Sequence, residues 1–80
     1  MLFEIGKQIR KARKIRQISQ AKVAQALGMS RTTIGQIENG TIQEIGVRKL
    51  IRLLEFFNLE LRVRPAGKPP TLDELRIEDR

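Results

Sequence analysis

The chain has 80 residues, no cysteine and no histidine, and it carries a formal net charge of +7 with 40% hydrophobic and 31% charged residues. This length suits one small domain, and the composition excludes a disulfide framework, a zinc site and thiol or imidazole catalysis. The sequence shows no Gly-rich phosphate loop and no spaced carboxylate pair, so we expect no enzyme, no metal and no cofactor. It also lacks a transmembrane run and a signal peptide, which predicts a cytoplasmic protein without membrane contact. The excess of positive charge favours an anionic partner.

The N-terminal segment has the pattern of a basic amphipathic helix. Over residues 2–17, Leu2, Ile5, Ile9 and Ala12 recur at helical spacing, and lysine and arginine occupy the other faces. We expect the apolar stripe to pack on a core and the basic faces to point outward.

Two consecutive short helices follow, and they share the same start and stop signals. Ser19 and Gly28 bound a helix over residues 20–27, whereas Ser30 and Gly40 bound the next one. The second helix is expected to end one or two residues before its glycine. Only three residues separate the two helices, which is a very short turn.

The C-terminal half changes from helical to strand periodicity. Residues 46–57 are predicted as a fourth helix, because they carry a broad apolar stripe made of Val47, Leu50, Ile51, Leu53, Leu54 and Phe57. Leu59, Leu61 and Val63 then alternate with charged residues up to Pro65, as in a half-buried β-strand. This is the only strand that the sequence predicts, so we expect it to pair with its twin in a second chain. The alternative is an extended tail that lies on the helices.

This order predicts an all-α fold of about four helices with a strand that pairs across a dimer. The helical domain covers residues 1–58, the dimerisation strand residues 59–65, and a linker with a short acidic tail residues 66–80. Within that tail, Thr71-Leu72-Asp73-Glu74 has the pattern of a capping box that opens a short helix. The tail is either an extra contact surface or a solvated helix.

The third helix is anchored on one side and polar on the other. With residues about 100° apart, Ile34 and Ile37 fall on one side. The opposite arc holds the polar or small residues Arg31, Thr32, Gly35, Gln36 and Asn39. Arginine, threonine and glutamine reach base edges in the major groove of DNA, so the arc predicts a surface that reads a duplex. Gly35 costs roughly 1 kcal/mol relative to alanine, which indicates either a closely approaching partner or a tolerated surface glycine.

The stretch SQAKVAQALGMSRTTIGQIENG, residues 19–40, resembles the helix-turn-helix of the lambda-repressor-like (xenobiotic-response-element) family. The resemblance covers residues 5–59 and rests on Gln20 opening the second helix, Ala24 at the helix contact, Gly28 in the turn, Ile34 and Ile37 inward, and Glu38-Asn39-Gly40 at the end. It implies a homodimer that binds a palindromic operator in double-stranded DNA, with the third helix in the major groove.

The resemblance also implies roles for individual residues. Base contacts fall on Arg31, Thr32 and Gln36. Phosphate contacts or close approach fall on Gln20, Ser30, Gly35, Asn39, Thr41 and Arg48, of which the last two are candidates only, since the loop TIQEIG is one residue longer than usual and lacks its proline. Arg13 is implied to pair with Glu38; otherwise Arg13 is one more basic residue of a solvated helix.

The segment 59–65 is similar to the dimer strand of HipB-type antitoxins. This likeness implies an antitoxin that represses its own operon and has a HipA-type toxin kinase as its partner. The alternative is a stand-alone phage or chromosomal regulator without a toxin. Two other classes fit less well. A module for acidic proteins or membranes would need basic residues gathered opposite one apolar stripe, and an RNA-binding protein would need exposed aromatic residues, whereas the three phenylalanines are expected in the core.

Overall fold

A computed structural model of the chain describes residues 1–67, which form four helices. They are α1 Leu2–Ile15, α2 Gln20–Leu27, α3 Arg31–Glu38 and α4 Val47–Phe56. This confirms the expected all-α helix-turn-helix bundle for these residues. Helix α1 ends two residues earlier than predicted, because Gln17 adopts a left-handed conformation with φ of 58°. The helix predicted at the start of the acidic tail lies outside the described residues.

Side-chain caps hold the short turn between α2 and α3. The Lys22 N–H donates to Ser19 Oγ at 3.0 Å, and the Thr33 N–H donates to Ser30 Oγ at 3.1 Å. Gly28 ends α2 with φ of 68°, in the left-handed region that glycine enters without a steric cost. Each serine cap contributes about 1 kcal/mol. The angle between the two helices therefore follows largely from local sequence.

Helix α3 packs against both α1 and α2. The core consists of ten buried hydrophobic side chains from all four helices and the end of α4: Ile9, Val23, Ala24, Leu27, Ile34, Ile37, Leu50, Leu53, Leu54 and Phe57. Burying each large aliphatic side chain contributes roughly 2 kcal/mol. The two isoleucines of α3 thus fix which side of that helix faces outward.

The N-terminal part of α1 crosses the end of α3 at very short range. A Cβ on Gly6 would overlap the carbonyl oxygen of Ile37 and would lie 2.8 Å from that of Glu38. Gly40 has φ of 75°, and a Cβ there would lie 2.9 Å from Phe3 Cα. Both contacts are backbone approaches that only glycine permits, so they set how α1 sits on α3.

Four hydrophobic residues of the helices lie further from the core than the sequence predicted. Leu2, which was expected on the packed stripe of α1, is 36% exposed near the start of that helix. Val47 and Ile51 are 65% and 40% exposed. On α4 they sit about 70° and 110° from the middle of the buried stripe, which lies between Leu50 and Phe57. Phe3 is 58% exposed; it lies against the chain at Gly40, and the Lys7 ammonium is 5.6 Å from the centre of its ring. The expectation that all three phenylalanines are buried was therefore wrong.

The β-strand predicted over residues 59–65 is not formed within residues 1–67, which contain no strand. The Leu59 N–H donates to the Leu54 carbonyl at 2.8 Å, and the Leu59 side chain packs on the core. Beyond it, Leu61 is 46% exposed and Val63 92% exposed. A ladder needs a partner backbone, and residues 1–67 provide no backbone bonded to this segment after the Leu59 N–H. Its first residue lies on the helices, as the alternative stated, and pairing with a second chain stays a prediction.

Candidate nucleic-acid interface

The outward side of α3 carries the three side chains that were predicted to read bases. Arg31, Thr32 and Gln36 are all exposed, whereas Ile34 is 0% and Ile37 3% exposed on the opposite side. No ion pair among residues 1–67 involves Arg31. Its guanidinium group is thus available to an external acceptor. In that part of the chain the three residues form one continuous hydrogen-bonding face.

A buried ion pair joins α1 to the end of α3. Arg13 Nε lies 2.6 Å from Glu38 Oε2, and the second nitrogen of the fork lies 3.0 Å from Oε1. The third guanidinium nitrogen donates to the Ile18 carbonyl at 2.9 Å. The side chains of the pair are only 12% and 3% exposed, and no buried side-chain polar atom in residues 1–67 lacks a partner. Such a bidentate, satisfied pair holds the two helices in one orientation.

Gln20 is a third member of this network, which the sequence did not indicate. The Nε2 of Gln20 donates to Glu38 Oε1 at 3.1 Å. The Gln20 amide also lies over Gly35, where an added Cβ would be 3.6 Å from the Oε1 of Gln20. Gln20 was predicted to contact phosphate. Since its side chain is held by the protein, the free backbone N–H groups at the start of α2 are the better donors to an anion.

The other predicted near-DNA residues divide into engaged and free side chains. Ser30 Oγ is used as the cap of α3, with Thr33 Oγ1 2.7 Å away. Asn39 Oδ1 accepts from the N–H and the hydroxyl of Thr41 at 3.2 Å and 2.6 Å, which closes the loop after α3. Arg48 is exposed at the start of α4. The structure thus brings Asn39 and Thr41 together.

Two polar depressions flank α3. One is lined by residues of the ion-pair network and its neighbours: Arg10, Arg13, Gln20, Gly35, Glu38 and Asn39. The other lies between α3 and the following loop, and its polar lining is Thr33, Gln36, Thr41, Gln43, Glu44 and Lys49. Gln43 and Glu44 were not predicted to belong to the site, because the loop gives no periodic signal. They extend the polar surface beyond Gln36.

Positive charge is concentrated in the described part of the chain. Residues 1–67 contain 13 Lys and Arg against five Asp and Glu, whereas residues 68–80 contain three against four. Four exposed basic side chains project from α1: Lys7, Arg10, Lys11 and Lys14. This surface suits a polyanion. None of the helices in residues 1–67 is long and apolar enough to cross a membrane.

Two further residues position the site without being part of its surface. Gly6 allows the close approach of α1 to α3. The sequence feature that could have indicated this role is the place of Gly6 beside the apolar stripe of α1. Arg16 donates to the Phe56 carbonyl at 2.6 Å, and its guanidinium carbon lies 5.3 Å from the centre of the Phe57 ring. It ties α1 to the end of α4. Nothing in the pattern distinguishes Arg16 from its basic neighbours, so only the structure identifies this role.

Residues 9–63 match the helix-turn-helix family, and the chain belongs to it. The chain is also similar to the ImmF control region 10 kDa protein of Bacillus phage phi105, with 38% identity over 60 residues. The matched stretch covers 75% of this chain and 66% of that protein. No solved structure matches the chain.

Proposed function

We propose that the protein is a sequence-specific DNA-binding transcriptional regulator that acts without a toxin partner. The observation that carries this proposal is the exposed arc of Arg31, Thr32 and Gln36 on the second helix of a helix-turn-helix. Membership of that family supports it, and so does likeness to a protein named for a phage control region. The same likeness favours the stand-alone regulator over the antitoxin.

In this proposal α3 lies in the major groove and the rest of the bundle positions it. Arg31 donates two hydrogen bonds to a guanine, Gln36 pairs with an adenine, and Thr32 meets a base edge or a thymine methyl group. Gly35 gives the DNA room to approach. The ion-pair network of Arg13 and Glu38 holds α3 at the angle that this contact needs.

Phosphate contacts would fix the register of the protein on the duplex. The free N–H groups at the start of α2 are the first donors. The next candidates are Arg48, which is exposed, and Ser30, Asn39 and Thr41, whose side chains also bond within the protein at the two ends of α3. One or two of the basic residues of α1 complete the set.

We further propose that two copies dimerise through residues 59–65 and that the dimer binds a palindrome. The half-site centres are then about 10 bp apart or a multiple of this. An exposed, unpaired and alternating segment supports the pairing. The antitoxin is the second candidate, and its support is the same alternation in Leu59, Leu61 and Val63. A co-transcribed reading frame for a HipA-type kinase beside the gene would favour the antitoxin.

Footprinting on the DNA upstream of the protein's own gene tests the proposal. We expect protection of a pseudo-palindrome, and an affinity that falls steeply as salt rises, since phosphate contacts release counterions. An absence of protected sites in that region, together with equal binding to all duplexes, would refute sequence-specific regulation.

Arg31→Ala tests the role of the third helix in recognition. We expect it to weaken operator binding by about 1–3 kcal/mol for each contacted base pair, and to leave binding to scrambled DNA nearly unchanged. Lys11→Ala is the control that also removes one positive charge. It should weaken both duplexes alike and flatten the salt dependence if it contacts phosphate. Equal losses on both duplexes for Arg31→Ala would contradict base reading.

A further inference from the structure

Residues 59–64 form a segment outside the helices, and both its apolar side chains beyond Leu59 and its backbone are left open among residues 1–67. Leu61 lies between two apolar grooves, one toward Ile5 on α1 and one toward Ile51 on α4. After the Leu59 N–H, no backbone group from residue 60 to residue 67 makes a hydrogen bond to another described backbone group. The segment therefore presents an edge that another strand can use.

We propose that a second copy of the chain covers this edge as an antiparallel strand whose two-fold axis passes through Leu61. This inference rests on the homodimer of the proposed function and adds the direction and register of pairing. With the axis at residue 61, a residue faces the residue of the other copy that lies equally far on the opposite side of position 61. Leu59 then faces Val63 of the other copy, and Leu61 faces itself.

Charge decides between this register and its neighbours. Glu60 faces Arg62 of the other copy, and the two-fold axis repeats this pair. An axis at residue 62 would instead place Arg62 against itself, and an axis at residue 60 would oppose two copies of Glu60. Parallel in-register pairing would create both like-charge contacts. Like charges directly opposite each other destabilise a sheet, so only the axis at Leu61 satisfies both charged residues.

Glu60 and Arg62 also form an ion pair within one chain, and its exposure allows each side chain to bind the other copy instead. Arg62 and Glu60 approach within 2.6 Å in one chain, which places both on the same side of the segment. Their side chains are 81% and 71% exposed, so the pair is weakly held by its surroundings. In the dimer the same two residues form the two inter-chain pairs.

The hydrogen bond at Leu59 also sets the phase of the ladder. In an antiparallel pair, alternate residues use their N–H and C=O groups toward the partner. The Leu59 N–H is already bonded to the Leu54 carbonyl at 2.8 Å. The residues that bond across the dimer are therefore Glu60 and Arg62. Leu61 then forms a non-hydrogen-bonded pair with itself, in which the side chains are closest.

A single cysteine tests this arrangement, because the chain contains none of its own. Leu61→Cys places two thiols across a non-hydrogen-bonded pair, with Cα atoms about 4.5 Å apart, within disulfide range. Oxidation without DNA should convert most of the protein to a covalent dimer. Val63→Cys is the control: its side chain is more exposed, but its two copies would be roughly 13 Å apart and should stay uncrosslinked.

Swapping the charges at positions 60 and 62 gives a second test, in which sedimentation equilibrium of the full chain measures the dimer dissociation constant. Glu60→Arg alone should raise the dimer dissociation constant roughly tenfold, since it replaces two attractive pairs by two repulsive ones. Adding Arg62→Glu to the same chain should restore dimerisation. Failure of the double variant to recover would overturn the register.

The outcomes separate this inference from the proposed function. A dimer in which Val63→Cys crosslinks as well as Leu61→Cys overturns the register but leaves the homodimer standing. A wild-type chain that stays monomeric at high concentration overturns both the register and the proposed dimer, and then the protein's own residues 68–80 or another protein covers the grooves. DNA recognition is measured separately by footprinting and by Arg31→Ala.

Discussion

Helix α3 and the segment 59–65 that follows α4 are both amphipathic in sequence, but they differ in whether residues 1–67 bury their apolar side chains and bond their backbone. In α3, Ile34 and Ile37 are buried by the same chain, a serine caps the start and a buried ion pair holds the end. In the segment, Val63 is 92% exposed and the backbone has no described partner beyond Leu59. An apolar pattern thus indicates burial, but it does not show whether the same chain supplies the cover.

The difference predicts where a substitution affects the folded chain and where it affects binding to something else. Substitutions at the contacts between α3 and α1, such as those at Glu38 and Gly6, should lower the free energy of unfolding. Changes to the exposed side chains of Arg31, Thr32 and Gln36 should alter DNA binding alone, and changes at Val63 should alter association alone.

Glu38→Ala should have the largest effect on stability. It leaves the Arg13 guanidinium buried without its carboxylate, and breaking a buried pair in this way costs about 3–5 kcal/mol. A chain of this size then unfolds to a large extent, as urea titration would measure. Glu44→Ala is the matched control, because Glu44 is exposed and makes no ion pair in residues 1–67. Equal changes in the two variants would show that the pair does not hold α3.

Gly6→Ala should cost about 1–3 kcal/mol, because the added methyl group overlaps the Ile37 carbonyl and forces α1 away from α3. Gly46→Ala is the control, since no atom lies within 4 Å of a Cβ there and its φ of −66° suits alanine. Thermal unfolding of both variants measures the difference. A Gly6 variant that is as stable as wild type would mean that the α1–α3 contact adapts.

Gly35→Ala should raise stability by up to about 1 kcal/mol, because alanine favours the helix and its Cβ meets Gln20 only at ordinary contact distance, 3.6 Å. In the proposed complex the methyl group also narrows the space beside Gly35, so we expect the same variant to bind its operator more weakly. Unchanged operator affinity with increased stability would identify Gly35 as a tolerated surface glycine.

Val63→Ser should have the smallest effect on the folded chain, within about 0.5 kcal/mol, because the side chain is 92% exposed. Its effect should appear in dimerisation, where it removes an apolar contact with Leu59 of the other copy. Unfolding measured over a range of protein concentrations separates the two quantities. A large loss of stability at low concentration would show that Val63 is covered within its own chain.

The sequence predicted the helices and the orientation of α3 because those features have local causes. Ser19, Gly28 and Ser30 act through bonds to residues at most four positions away. The periodicity of isoleucines and leucines then indicates which sides are buried. The Arg13–Glu38 pair followed from family resemblance, since nothing local links residues 25 positions apart.

The network around Glu38 extends further than the sequence indicated. The bond from Gln20 has no sequence signature, and for the contact of Gly6 with the α3 carbonyls the only sequence feature is the place of Gly6 beside the apolar stripe of α1. Each depends on how two helices cross. The same holds for Arg16 at the end of α1, which the sequence does not distinguish from the basic residues before it and whose contact with Phe56 only the structure shows.

By itself the sequence determined four helices, a capped turn and a polar arc on α3, because capping, glycine conformation and helical periodicity act within a few residues. Tertiary structure alone decided that α1 touches the backbone of α3 at Gly6, that Gln20 is held by Glu38, and that Leu61 and Val63 stay exposed among residues 1–67. These outcomes depend on distances between segments far apart in the chain, which local patterns do not encode.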